Sequence, residues 1–261
     1  MLKVRSFYDS APELFALAVF DETNSLCHCN SCYSEEFGEY GFDRLSALAL
    51  ADRFAYINAQ RYFIDRLPLF VSGRRFTAFS LELCETPRSD FESRERLNPL
   101  AVIGAYTSGS PTKQVTYVGA ILDSIRDGDR REKIRLCEVE RGISGTESAS
   151  FSAGAFICAL HVAGSIASDG DLGKRVEIRT SKTPNELSVS LRADIRAGKT
   201  NEFLVCLLNE LAARGGFSVD FPLDADDQVV FSFRRVNLSG LPLAANKLRD
   251  IDLAMLLLFE F

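Results

Sequence analysis

The chain has 261 residues, a formal net charge of -6, 46% hydrophobic residues and 25% charged residues. These values describe a soluble globular protein of about two domains. They argue against a phosphate-backbone binder, which needs a basic field. No apolar run reaches the ~18 residues of a membrane span, and the first fifteen residues or so carry no signal-peptide core. Seven cysteines in a chain without secretion features point to free thiols in a reducing cytoplasm.

In chain order, Phe15, Leu17 and Val19 alternate as a strand. Asp21 to Ser25 reads as a turn, because Asp and Asn side chains bond their own backbone there, and Leu26 to Asn30 returns as a second strand. Gly38 and Gly41 punctuate short polar helices. Leu45, Leu48, Phe54, Ile57 and Ile64 predict a helical stretch from Asp43 to Leu67, closed by Pro68. Phe70-Val71, a Ser72-Gly73 turn and the alternation of Thr77, Phe79, Leu81 and Leu83 predict a hairpin.

A polar linker follows at residues 86–92. Leu100, Val102, Ile103 and Tyr106 fit one helix, and Val115, Val118, Ile121, Leu122 and Ile125 fit a second. Gly109-Ser110-Pro111 separates the two. Paired helices with apolar stripes would form half of a four-helix bundle with a second copy. A strand over residues 99–107 is the alternative, since short apolar runs do not separate the cases by periodicity.

Beyond residue 133, Leu136 and its neighbours predict a strand, and Ser152 to Ser168 a long helix. Val176 and Ile178 open a second strand, Thr183 to Glu186 turn it, and Leu187, Val189 and Leu191 return. Phe203, Leu204, Leu207, Leu208 and Leu211 line one helical face, and Gly215-Gly216 end that helix. The period then switches to two, with Phe217, Val219 and Phe221, then Val229, Phe231 and Phe233 after the turn Asp224 to Asp227. Leu248, Ile251, Leu253, Leu256 and Leu257 suggest an amphipathic C-terminal helix.

Two stretches of the first region, DSAPELFALAVFDETNSLCHCNSCYSEEFG and FVSGRRFTAFSLELCE, resemble a PAS sensor domain, with Asn30, Tyr33, Phe37 and Gly38 in matching places. The wording Glu95, Asn98, Pro99, Leu100 and Ile103 is similar to the phosphoacceptor helix of a histidine kinase. Arg94 stands where the acceptor histidine should be, and a guanidinium stays protonated and cannot accept a phosphoryl group. The helix, Gly-Gly and terminal hairpin resemble the end of a histidine-kinase ATPase domain. Together these imply an α+β chain: a PAS-like domain (1–86), a two-helix dimerisation hairpin (87–132), an ATPase-like α/β sandwich (133–237) and a helical tail (238–261).

The nucleotide machinery departs from the resemblance. Val162, Ala163 or Gly164 stands where an Asn would hold Mg-phosphates. Asp194, Arg196 and Gly198 stand in the adenine box, so Asp194 and Gly198 are its relic positions. Gly198 leads to Phe203 too soon to leave room for a lid over the phosphates.

The resemblance therefore implies a histidine-kinase-like pseudoenzyme of two-component signalling. It would have no catalytic residues, no cofactor and no bound nucleotide, would not bind nucleic acid, and would act by contact with a response regulator or sensor kinase, as a homodimer. A histidine phosphotransferase or a kinase with residual ATP binding is the alternative.

Phe15, Leu17, Tyr33, Phe54, Phe79 and Leu81 are candidate lining residues for a PAS ligand cavity, and equally suit a packed core. The Cys27, Cys29 and Cys32 cluster lacks the converging fourth ligand that a zinc site needs, so no metal site is expected there. His161, in an apolar helix, reads as a core residue.

Overall fold

The computed structural model describes residues 15–51, 53–57, 60–84, 104, 106–109, 111–128, 135–144, 147–168, 175–192, 201–220 and 228–236. The fold is α+β. The described residues form two compact units, divided within the stretch between Cys84 and Gly104.

The first unit runs β1 (Phe15–Phe20), β2 (Leu26–Cys29), α1 (Ser31–Glu36), α2 (Phe42–Ala51), β3 (Phe54–Ile57), β4 (Gln60–Val71) and β5 (Arg74–Leu83). Its five strands lie in the order β2-β1-β5-β4-β3, each pair antiparallel. The β1–β2 turn closes as its residue types require. The Asp21 carboxylate accepts from the backbone N–H of Thr23 at 2.8 Å and of Ser25 at 3.0 Å. Ser72 and Gly73, at φ of 50° and 76°, make the two-residue turn from β4 to β5. Two left-handed residues match the twist of a hairpin.

The helix expected over Asp43 to Leu67 is only partly there. It stops at Ala51, and Phe54–Ile57 and Gln60–Val71 form β3 and β4. Arg53 turns left-handed at φ 56° and breaks the helical path. Beyond it the burial period is two, with Ala55, Ile57, Tyr62 and Ile64 turned inward. Pro68 then lies inside β4 and pairs with Thr77 of β5. β3 pairs with β4 only as far as Phe63, so the proline breaks no ladder on that side.

The second unit runs β6 (Gln114–Tyr117), α3 (Val118–Gly128), β7 (Arg135–Arg141), β8 (Ser148–Phe151), α4 (Ala153–Ser168), β9 (Arg175–Lys182), β10 (Glu186–Arg192), α5 (Glu202–Gly215), β11 (Ser218–Asp220) and β12 (Gln228–Arg234). A five-stranded sheet has the order β11-β12-β10-β9-β7, with β7 and β9 parallel, and β6 pairs with β8 in a second, two-stranded sheet. The second helix of the expected hairpin differs: residues 114–117 are strand, and α3 starts at Val118 with its first N–H on the Glu147 carbonyl. Pairing with β8 competes with helix for the β-branched Val115 and Thr116. The first hairpin helix lies mostly outside the described residues, as do Asp194, Gly198 and the 238–261 tail.

The core of this unit gathers on Phe156 of α4. Its ring meets Phe151 at 5.7 Å, Phe217 at 5.7 Å, Phe231 at 5.5 Å and Phe233 at 4.7 Å, mostly edge to face. Cross-strand pairs Val189–Phe231 and Leu191–Val229 continue that surface over β10 and β12. α5 is capped at both ends. The Asn201 side chain accepts from the N–H of Phe203 at 3.0 Å, and Gly216 turns left-handed at φ 83° with its N–H on the Ala212 carbonyl. This is the helix and double glycine that the sequence marks.

Candidate functional site

α4 occupies the place where the resemblance puts the phosphate-holding helix. Every residue from Gly154 to Gly164 is buried. Val162 and Ala163 are fully so, and the polar residue among them, His161, is 7% exposed. A helix that holds metal and phosphates must turn a polar side chain toward a space a nucleotide can enter. Here one face of α4 packs on the sheet and the other side is closed as well. Burial keeps the Cys158 thiol protonated, pushing its pKa far up. Asp194 and Gly198 cannot be placed against this helix, since both lie outside the described residues.

Around α4, Tyr106, Gly109 and Lys113 lie at the ends of α4 and α5. The Tyr106 ring lies against Gly154, where a Cβ would fall 2.4 Å from its Cζ. Arg214 donates to the Gly109 carbonyl at 2.8 Å, and the Lys113 stem covers Gly216.

The interior of the first unit is filled by rings. Phe20, Phe42 and Phe79 sit edge to face at 5.6–5.8 Å, and Phe37 meets Tyr62 at 5.0 Å. Of the six candidate lining residues, Tyr33, Phe79 and Leu81 belong to this cluster. Leu17 and Phe54 do not. The inward residues of β1 are Ala16, Ala18 and Phe20, so Leu17 faces the other side of the sheet, and Ala55 rather than Phe54 points in from β3. A one-residue change of parity reverses the face. Phe15 pairs with Glu82 in the β1–β5 ladder, and its side chain is outside the described set.

Polar atoms at the margin of this core are held. The Asn30 Oδ1 accepts from the Leu17 N–H at 3.0 Å and the Tyr33 N–H at 3.0 Å, tying β1 to the first turn of α1. Tyr33 donates its hydroxyl to the Tyr40 carbonyl. Burial, then the neighbouring Cys29, pushes its pKa to about 12. The one Tyr62 hydroxyl proton is shared between the Gln60 Oε1 at 2.6 Å and the Glu36 Oε2 at 3.1 Å; burial and the Glu36 charge push its pKa to about 12.

In the cysteine cluster, Cys29 and Cys32 pack against the aromatic core. Cys27 donates to the Val19 carbonyl at 3.2 Å, and burial, with Asp21 nearby, pushes its thiol to about 11. That favours the thiol over the thiolate, which is the form that binds metal or attacks. Among the described residues no group of three His, Cys, Asp or Glu could hold a metal ion.

One polar cluster escaped the sequence reading. Glu147, 5% exposed, accepts from Lys182 and Ser144. Burial raises its pKa, but those two bonds outweigh it and hold the carboxyl at about 2. Beside it Thr180 accepts from the N–H of Gly142 at 2.9 Å and of Ile143 at 3.3 Å. A threonine at the inward parity of Val176 and Ile178 was a legible sign; the Glu147–Lys182 pair, far apart in sequence, left none. The cluster fastens the β7–β8 loop to β9.

No family model and no curated protein matches the chain. Among solved structures it is similar to the Acinetobacter baumannii histidine kinase AdeS, at 6% identity over 60% of this chain and 88% of that one, with a TM-score of 0.36. It is similar to the histidine kinase ThkA, crystallised with the response regulator protein TrrA, at 8% identity over 85% and 96%, TM-score 0.35. A histidine kinase from Burkholderia phymatum STM815 follows at 15% identity over 56% and 76%, TM-score 0.32. At these scores the fold reading rests on the chain's own strand order and register. No helix among the described residues is long and apolar enough to cross a membrane.

Proposed function

We propose that this chain is a histidine-kinase-like pseudoenzyme of two-component signalling, which works by binding rather than by phosphoryl transfer. The observation that carries the reading is α4, whose residues from Gly154 to Gly164 are buried without an amide or carboxylate among them. Loss of the polar ligand and closure of the helix face both remove the setting in which Mg-phosphates are held. The chain's two histidines, His28 and His161, are 8% and 7% exposed. Neither is offered to a partner's phosphoryl group, which disfavours a phosphotransfer relay. The partner that fits this reading is a response regulator or a sensor kinase, and the PAS-like unit would then serve recognition or sensing.

The test is a titration of a fluorescent ATP analogue with magnesium into the purified protein, with calorimetry alongside. No saturable signal up to millimolar nucleotide is expected. Micromolar, magnesium-dependent binding would end the pseudoenzyme reading.

A further inference from the structure

We draw no further inference here: the strongest candidate, the apolar face of the first sheet turned away from its helices, where Leu17, Val19, Leu69, Val71 and Ala78 are all buried, carries nothing because nothing in the structure shows what covers it.

Discussion

The two units solve the same problem differently. Each has a five-stranded sheet with aromatic residues on its helix side. In the first, the helices are short and polar atoms reach in from the margin: Asn30 under Tyr33, and the hydroxyls of Tyr33 and Tyr62. In the second, a sixteen-residue helix is buried along its middle, His161 included, and Glu147 and Thr180 are buried where the β7–β8 loop meets β9. The contrast teaches where chemistry has room. In the first unit the room is at the rim, where Asn30, Tyr33 and Tyr62 hold polar groups beside the rings. A sandwich sealed around an apolar helix is left with its outer surface.

The strongest way to break the comparison is Phe156→Ala. Removing the ring that four other phenylalanines meet should cost about 4 kcal/mol. In urea, the transition reporting the second unit should move to lower denaturant while that of the first stays in place. If both moved together, the units would not be independent.

Asn30→Ala should have the next largest effect, in the opposite unit. It strands two buried N–H groups, those of Leu17 and Tyr33, and removes the cap of α1. A loss of about 2–3 kcal/mol is expected, confined to the first transition.

Under the pseudoenzyme proposal, Ala163→Asn asks whether one amide on α4 is enough to admit a nucleotide. A fully buried site gives the amide no water, so about 1–3 kcal/mol of stability should be lost. Binding of the fluorescent nucleotide should not appear. Recovery of binding would mean that the closure of α4 yields readily.

The smallest effect is a pH dependence. Bonds from Lys182 and Ser144 hold the Glu147 carboxyl at about 2, below its ordinary value of 4.5. A carboxyl depressed by folding stabilises fully above its unfolded value, and that stabilisation is lost as pH falls through the folded value. Thermal melting of the second unit should therefore weaken between about pH 4.5 and 2 in wild type. Glu147→Gln should be weaker at neutral pH and flatter across that window.

Much of the fold was legible because local signals agreed with the tertiary outcome. The Leu207 and Leu211 face and Gly215-Gly216 specify α5 within their own stretch, and Ser72-Gly73 specify a hairpin. The stretch from Phe54 to Leu67 was not legible as strand, because its apolar residues satisfy both a period of 3.6 and a period of two over a short window. Gln114 to Tyr117 became strand through pairing with Ser148 to Phe151, a contact that sequence distance conceals.

For the site, the sequence by itself determined identities: no amide at Val162 to Gly164, and an arginine at position 94, where the resemblance expects a histidine. No folding changes them. Only the tertiary structure decided orientation and access. It turned Leu17 and Phe54 away from the core that Tyr33, Phe79 and Leu81 share, brought Lys182 to Glu147, and buried α4 from Gly154 to Gly164. Facing depends on sheet parity and burial on what packs from elsewhere in the chain, so neither is a property of any one stretch.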